Sequence, residues 1–466
     1  MPGVDTLNAK GRSFGFQKKR DVAAQEAPPP PGLIVRQAAA AALSEIVTNG
    51  RTLDERLAAD EAAGRLARMD ARDRALMRSI VIVALRRFGT IKAALASLLE
   101  TGLPKKAQSL EWILAVAGAQ ILFMDVPDHA AVDLAVHAAK RDPQTIPFAA
   151  LVNAVARNMS RQKEELLAAA DPFADTPLWL SARWRKTWGD KDAAAIAAMN
   201  RQEPTLDLSV RDNPEDWARR LGGIVLPTGS VRLSAHTPIA ELEGYDNGGW
   251  WVQDASAALP ARLLRPQPGE RIADLCAAPG GKTIQLALAG ADVTALDRSA
   301  ERMKRLAANL QRIGARADLQ VGDALSFSAP AFDAILLDAP CTATGTIRRN
   351  PDVAWTKRAS HVQTMAAAQT KMLEQAIKLL RPGGRLIYST CSLEPEEGEH
   401  QIAALLRRNP DIMRDPVAPE EIGGLAQCIT AEGEVRTLPQ HLPHEDPRMA
   451  GLDGFFMARL RRRDGS

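Results

Sequence analysis

The sequence predicts a multidomain chain: an all-α N-terminal region, a small α+β segment, and a C-terminal α/β domain on a parallel sheet. Three observations predict it. Apolar residues recur at helical spacing from about residue 33 to 170. Short strand-like runs begin only after the break "DPFADTP" at 171–177. From about 269 to 406 short apolar runs alternate with helical stretches, the pattern of repeated βα units. A length of 466 residues accommodates such a division.

The expected boundaries are a disordered tail at 1–33, a helical domain at 34–170, an α+β linker region at 171–250 and an α/β domain at 251–466. The tail is polar, carries Lys18-Lys19-Arg20 and ends in "PPPPG", so it buries little. A loose RNA-contacting arm is the other reading. In the helical region, Val35, Ala38, Ala39, Ala42, Leu43, Ile46 and Val47 lay one apolar stripe along a helix. "RDRALMRSIVIVALRRF" and "LEWILAVAGAQILFM" repeat the habit. "LWLSARWRKTWG" then sets Trp179, Trp184 and Trp188 among Arg183, Arg185 and Lys186. Packing against a neighbour explains this, and so does RNA stacking; packing explains most tryptophans. "TLDLSV", "GSVRLS" and a helical patch around Trp217 form the linker region.

Composition narrows the class. Hydrophobic residues are 46% and charged residues 25%, as in ordinary soluble domains. A net charge of +3 means that any nucleic-acid surface comes from local clustering. Cys276, Cys341, Cys391 and Cys428 form no CxxC pair, so neither a zinc site nor a disulfide framework is expected. No apolar run approaches the ~20 residues of a membrane span, and no signal-peptide core opens the chain. A cytoplasmic monomer without metal is expected. His441 and His444 are read as solvated loop residues rather than metal ligands.

The strand-like runs of the α/β domain are "RIADLCA", "ADVTALD", "LQVGD", "FDAILLDAP" and "GGRLIYSTC". "KTIQLALA", "SAERMKRLAANLQRI" and "QTKMLEQAIKLL" supply helices between most of them. Ligands of such sheets bind beyond the C-terminal strand ends. There lies "DLCAAPGGKT", which matches the end of a phosphate-binding loop. A nucleotide triphosphatase is one reading, with "AILLD" supplying a magnesium carboxylate. Against it, Cys276 replaces the opening glycine, whose backbone freedom the loop needs, and Pro279 removes an N–H donor. The other reading is a cofactor with a ribose but no triphosphate. Ala277, Ala278, Gly280 and Gly281 let a ligand approach the backbone, Asp297 ends the second strand where ribose hydroxyls are held, and Asp323 ends the third, in reach of an adenine. The loop lacks a dinucleotide fingerprint, so S-adenosylmethionine fits better than NAD.

Cys341 follows the fourth strand and Cys391 ends the fifth, so adjacent strands bring two thiols over one crevice beside Asp338. One cysteine alone reads as a small buried hydrophobe. The pair points to carbon methylation of a pyrimidine. C5 of cytosine becomes nucleophilic only after a thiolate adds to C6, which is covalent catalysis. A carboxyl group is needed near N3, and a base must remove the C5 proton. Lys282 is a candidate neighbour that favours the thiolate.

"DLCAAPGGKT", "ALDRSAERMKRLAANLQRIG", "FDAILLDAPCTATGTIRRNPDVAW" and "GGRLIYSTCSLEPEEGE" together resemble the RNA 5-methylcytosine methyltransferases of the NOL/NOP2/Sun class. "GGWWVQDASAALP" and "DGFFMARL" also resemble segments of that class. With "TLDERL" and "DARDRALMRSIVIVALRR" similar to a NusB-like RNA-binding domain, the combination resembles its RsmB (Fmu/Sun) family, over about residues 33–462. The resemblance implies a NusB-like N-terminal domain, an RRM-like linker region and a Rossmann-like methyltransferase domain. It implies methylation of a small-subunit (16S) ribosomal RNA cytosine, with another RNA, such as tRNA, as the alternative substrate. It makes Cys391 the nucleophile and Cys341 the residue that assists release. It assigns S-adenosylmethionine to Cys276, Ala277, Ala278, Pro279, Gly280, Gly281 and Lys282, with Asp297, Asp323 and Asp338. Asp338 also faces the target base. Arg348 and Arg349 are placed in a loop toward the RNA backbone, or stand as a solvated pair.

Overall fold

The computed structural model describes residues 29–464, apart from 105 and 235–237. Most of the expected tail therefore lies outside the described residues.

Among the described residues eight α-helices come first: α1 (Leu33–Asn49), α2 (Leu53–Ala62), α3 (Ala71–Arg86), α4 (Phe88–Leu98), α5 (Ser109–Phe123), α6 (Asp128–Ala139), α7 (Ala149–Arg161) and α8 (Lys163–Ala168). α5 is apolar on nearly every side, so it is the central helix, with Leu110 and every residue from Ile113 to Leu122 buried. α1, α3, α6 and α7 pack around it and share its core. Thr52 and Glu55 form a reciprocal capping box at α2, and Asp70 caps α3. The expected helical region is thus helical.

α9 (Leu178–Asn200) follows, broken at Gly189, whose φ of 80° departs from helix. Next come β1 (Leu206–Val210), α10 (Pro214–Leu221), β2 (Gly223–Val225), β3 (Val231–Leu233) and β4 (Trp250–Val252). They make an antiparallel sheet in the order β2-β3-β1-β4, with Trp217 of α10 packed on it.

The last part contains α11 (Leu259–Leu263), β5 (Arg271–Leu275), α12 (Gly281–Leu288), β6 (Asp292–Asp297), α13 (Ala300–Ile313), β7 (Asp318–Val321) and β8 (Phe332–Asp338). It continues through α14 (Asp352–Thr356), α15 (Ala359–Leu379), β9 (Leu380–Thr390), α16 (Glu399–Arg408), β10 (Ile412–Arg414), β11 (Val435–Thr437) and β12 (Phe455–Arg462). The sheet runs β10-β12-β9-β8-β5-β6-β7, with β11 also on β12. β5 through β9 are the five expected strands, and their mutual pairings are parallel. β12 inserts antiparallel beside β9, an edge the sequence pattern did not reveal. Strand order reverses between β5 and β8. That switch point opens a crevice at the strand C-termini.

Two apolar clusters cover the two faces of this sheet. The helical region docks on the segment between Cys341 and α15. Leu53 N–H donates to Asp352 (3.1 Å), Trp355 Nε1 donates to the Leu85 carbonyl (2.7 Å), and Trp355 meets Phe88 edge-on.

Candidate active site

The crevice begins with the loop after β5. Cys276 adopts the left-handed region at φ 69° and Gly280 sits at φ 107°. The glycine missing at 276 therefore does not cost the loop its turn, because a cysteine takes that conformation. The loop backbone is tied down: Ala277 N–H donates to the Leu296 carbonyl (2.9 Å) and Ala278 N–H to Asp297 Oδ2 (3.2 Å). A Cβ at Gly280 would lie 2.7 Å from Leu306 Cγ, so only glycine allows α13 to close on the loop.

Thr283, which in a triphosphatase would face a metal, points inward instead. Its hydroxyl donates to Asp274 Oδ2 at 2.6 Å, and both side chains are buried. Burial pushes the Asp274 carboxyl up to about 7, against the pull of the Thr283 bond. Its other oxygen has no partner among the described residues, which fits a carboxyl holding its own proton. Burial, Asp338 and Asp297 push the Cys276 thiol up to about 12, so it acts as a small apolar group.

Asp297 is buried at the end of β6, accepting from Ser299 N–H (2.9 Å) and pairing with Arg302 (3.2 Å). Asp323 is exposed beyond β7. Asp338 ends β8, where Oδ2 accepts from Lys282 Nζ (2.7 Å) and Oδ1 from Ser389 Oγ (2.8 Å). Lys282 is nearly buried; burial lowers its ammonium and Asp338 raises it, and the net shift is upward. The crevice thus holds the carboxylates Asp297, Asp323 and Asp338 against Lys282 and Arg302, with Lys282 already neutralised by Asp338. That donor set suits a ribose-bearing cation and repels a polyphosphate.

Cys341 and Cys391 meet at the same end of the sheet, Sγ to Sγ at 3.4 Å. Either thiol can donate to the other. The hydrogen bond to Cys391, burial and neighbouring charge hold the Cys341 thiol well above the usual range. Cys391 is also among the groups that act on the Lys282 ammonium, so the two are electrostatic neighbours. Lys282, Asp338, Cys341 and Cys391 are therefore brought together, with the loop from Cys276 to Gly281 alongside.

Two expectations are corrected. Arg348 and Arg349 neither face outward nor stand solvated. Arg348 is buried against Asp453 (2.9 Å) and Asp254 (3.4 Å), and the half-buried Arg349 pairs with Asp254 (2.7 Å), Asp453 (3.2 Å) and Asp207 (3.3 Å). Their partners lie between 94 and 142 residues away in sequence, where no local pattern reveals them. His441 is half-buried rather than free in a loop: its Nδ1 lies 3.1 Å from the buried Cys428 Sγ. His444 is exposed, and no group able to hold a metal occurs among the described residues. The tryptophans pack: Trp184 is buried with its Nε1 on Glu394, and Arg183 pairs with Glu394 and Glu396. Those glutamates belong to "EPEEGE", in which sequence reasoning singled out only the preceding cysteine.

A family model described as 16S rRNA methyltransferase RsmB/F matches residues 261–461, and a NusB family model matches residues 34–161. A ribosomal RNA small subunit methyltransferase B from Cronobacter sakazakii is 34% identical over 438 residues, covering 90% of this chain and 96% of that protein. Its namesake from Xanthomonas campestris is 36% identical over 439 residues, covering 90% and 94%. The crystal structure of PH0851 superposes with a TM-score of 0.69 at 24% identity, over 94% of this chain and all of the other, and so shares the fold.

Proposed function

The chain belongs to the RsmB/F family of 16S rRNA methyltransferases, and from that premise we propose that it methylates C5 of a cytosine in small-subunit ribosomal RNA through a covalent bond from Cys391 to C6. The observation that carries the reading is the pair of thiols 3.4 Å apart beside the Lys282–Asp338 pair. N-methylation or O-methylation calls for no such pair, whereas a ring carbon needs a nucleophile to activate it.

The residues take these parts. The loop Cys276–Gly281, with Asp297 and Asp323, holds S-adenosylmethionine. That cofactor, when bound, supplies the methyl group. Cys391 reacts as its thiolate, the nucleophilic form of a thiol, with Lys282 as an electrostatic neighbour. The thiolate adds to C6, and the ring becomes nucleophilic at C5. Asp338, fixed by Lys282 and Ser389, is assigned to the N3–N4 edge of the base. The proton shared within the Lys282–Asp338 pair is available to N3 as charge builds there. After methylation the C5 proton leaves to a base or to water, Cys391 departs as a thiolate, and N3 returns its proton to the Lys282–Asp338 pair. Cys341 stands in hydrogen-bond contact with that departing sulfur and stabilises its charge. The NusB-matching helices are assigned to RNA contact, and the target base must leave its stack to reach the crevice.

Cys391→Ala tests the reading. Methyl transfer to ribosomal RNA should fall by several orders of magnitude while S-adenosylmethionine binding stays near wild type. Undiminished turnover in that variant would remove the covalent step.

A further inference from the structure

The two thiols sit on separate loops, one after β8 and one after β9. A distance of 3.4 Å between their sulfurs needs something that ties the loops together. The loops touch directly, where Gly345 N–H donates to the Cys391 carbonyl (2.9 Å), Leu393 N–H donates to the Thr344 hydroxyl (2.9 Å) and the Thr342 and Ser392 hydroxyls meet at 3.2 Å, and one further buried side chain bonds to both loops at once. Glu397 is fully buried, and no ion pair reaches it among the described residues. Its carboxylate accepts from the N–H (3.0 Å) and the hydroxyl of Thr342, the residue after Cys341. It also accepts from the hydroxyl of Ser392, the residue after Cys391. Gln369 donates to it at 3.1 Å, and the same amide donates to the carbonyl of Pro340 at 3.0 Å, the residue before Cys341. The main-chain carbonyl of Glu397 accepts from Thr390 (3.2 Å), the residue before Cys391, and from Tyr388 (2.8 Å). Each cysteine is thus flanked on both sides by residues tied to one glutamate.

We propose that Glu397 is a positioning residue that clamps the Cys341 and Cys391 loops together and sets the separation of the two thiols.

A buried carboxylate without a cation is costly to keep, so four donors converging on it indicate a position that a packed apolar residue would not fill equally well. Burial raises this carboxyl, and the hydroxyl and amide bonds pull it back. Its charge is also among the influences that hold the Cys341 thiol up. The distance rests on the structure alone. The catalytic consequence rests on the cytosine-methylation reading, and the test separates the two.

Phenylarsine oxide reads the distance without RNA. It condenses with two close thiols, each S–H giving up its proton and the arsenic-bound oxygen leaving as water. The full-length wild-type protein should bind one equivalent, and Cys341→Ala should lose tight binding. Glu397→Gln should melt near wild type, bind S-adenosylmethionine, and bind the arsenical about tenfold more weakly, the scale of one hydrogen bond to a charged group. With RNA, it should show a lowered kcat at an unchanged KM and an altered fraction of protein retained as covalent adduct. If Glu397→Gln does not fold, Thr342→Val and Ser392→Ala, which each remove a hydroxyl bond to Glu397 together with the direct Thr342–Ser392 contact, should weaken arsenical binding in the same direction. Wild-type arsenical affinity in all folded clamp variants would overturn the proposal. Failure of the wild type to methylate RNA would overturn the methylation reading and leave the arsenical result standing.

Discussion

Replacing Arg349 by methionine separates a structural arginine from an RNA-binding one. Arg232, Arg348 and Arg349 face Asp207, Asp254 and Asp453 in one buried network. Three cations balance three carboxylates. Arg349 also donates to the Thr205 carbonyl at 2.8 Å. Methionine keeps most of the side-chain volume and leaves three carboxylates facing two cations. Stranding one buried charge in this way costs about 3–5 kcal/mol. At an m-value of about 2–3 kcal/mol/M the urea midpoint should drop by roughly 1–2 M. The pH dependence follows from Asp453. Burial and Asp254 push its carboxyl up, Arg349 and Arg348 pull it back, and it stands at about 6. Without Arg349 it rises further. A carboxyl raised in the folded state takes up a proton on folding, so its contribution is present at low pH and lost as pH rises through the folded value. The stability gap between variant and wild type should therefore be smaller at about pH 5 than at about pH 8. Urea titrations followed by tryptophan fluorescence measure this. Ribosomal RNA affinity against salt supplies the second reading. A phosphate contact would change the log–log slope by about 1, and a buried network leaves it unchanged. Wild-type stability together with a shallower salt slope would refute the placement of Arg349.

Other outcomes follow from the same geometry. Cys341→Ala should leave protein covalently retained on RNA in a denaturing gel, because addition proceeds while the departing Cys391 loses its hydrogen-bond partner; free product with no retained band would reassign Cys341 to packing. Gly280→Ala should cost about 1–3 kcal/mol from the left-handed backbone, with the Leu306 contact added, and should weaken S-adenosylmethionine binding in a calorimetric titration. Asp274→Asn should reverse in pH. The wild-type carboxyl, raised to about 7, loses its stabilising contribution as pH rises from about 4 through that value. The amide does not titrate. The variant should therefore gain on wild type in melting temperature between about pH 5 and about pH 8, and a constant difference would place Asp274 outside the titrating core.

The parts of this fold that the sequence reveals are those built from local pattern. β5, β6, β8 and β9 are apolar runs with Asp274, Asp297, Asp338 and Thr390 at or one residue before their C-terminal ends, and buried parallel strands read in this way. The order of βα units alone implies that the ends carrying Cys341 and Cys391 are neighbours, and β8 pairs with β9. What stayed hidden depends on distant partners. "TIRRNP" looks like a basic loop until Asp254 and Asp453 arrive from far along the chain. "FFMARLRR" carries alternate charges, but no local signal says that it lies antiparallel on β9. Cys276 reads as a lost glycine because propensity disfavours its left-handed backbone, and the surrounding loop overrides the propensity. Glu397 looks like one acid among several, since its four donors come from three separate segments.

The central claim is tested most directly by methyl transfer from labelled S-adenosylmethionine to small-subunit ribosomal RNA from cells lacking this gene, followed by nucleoside analysis. The two thiols over Lys282 and Asp338 predict that the label is recovered as 5-methylcytosine. Label recovered in any other nucleoside would contradict the assignment of Cys391 to C6 of cytosine.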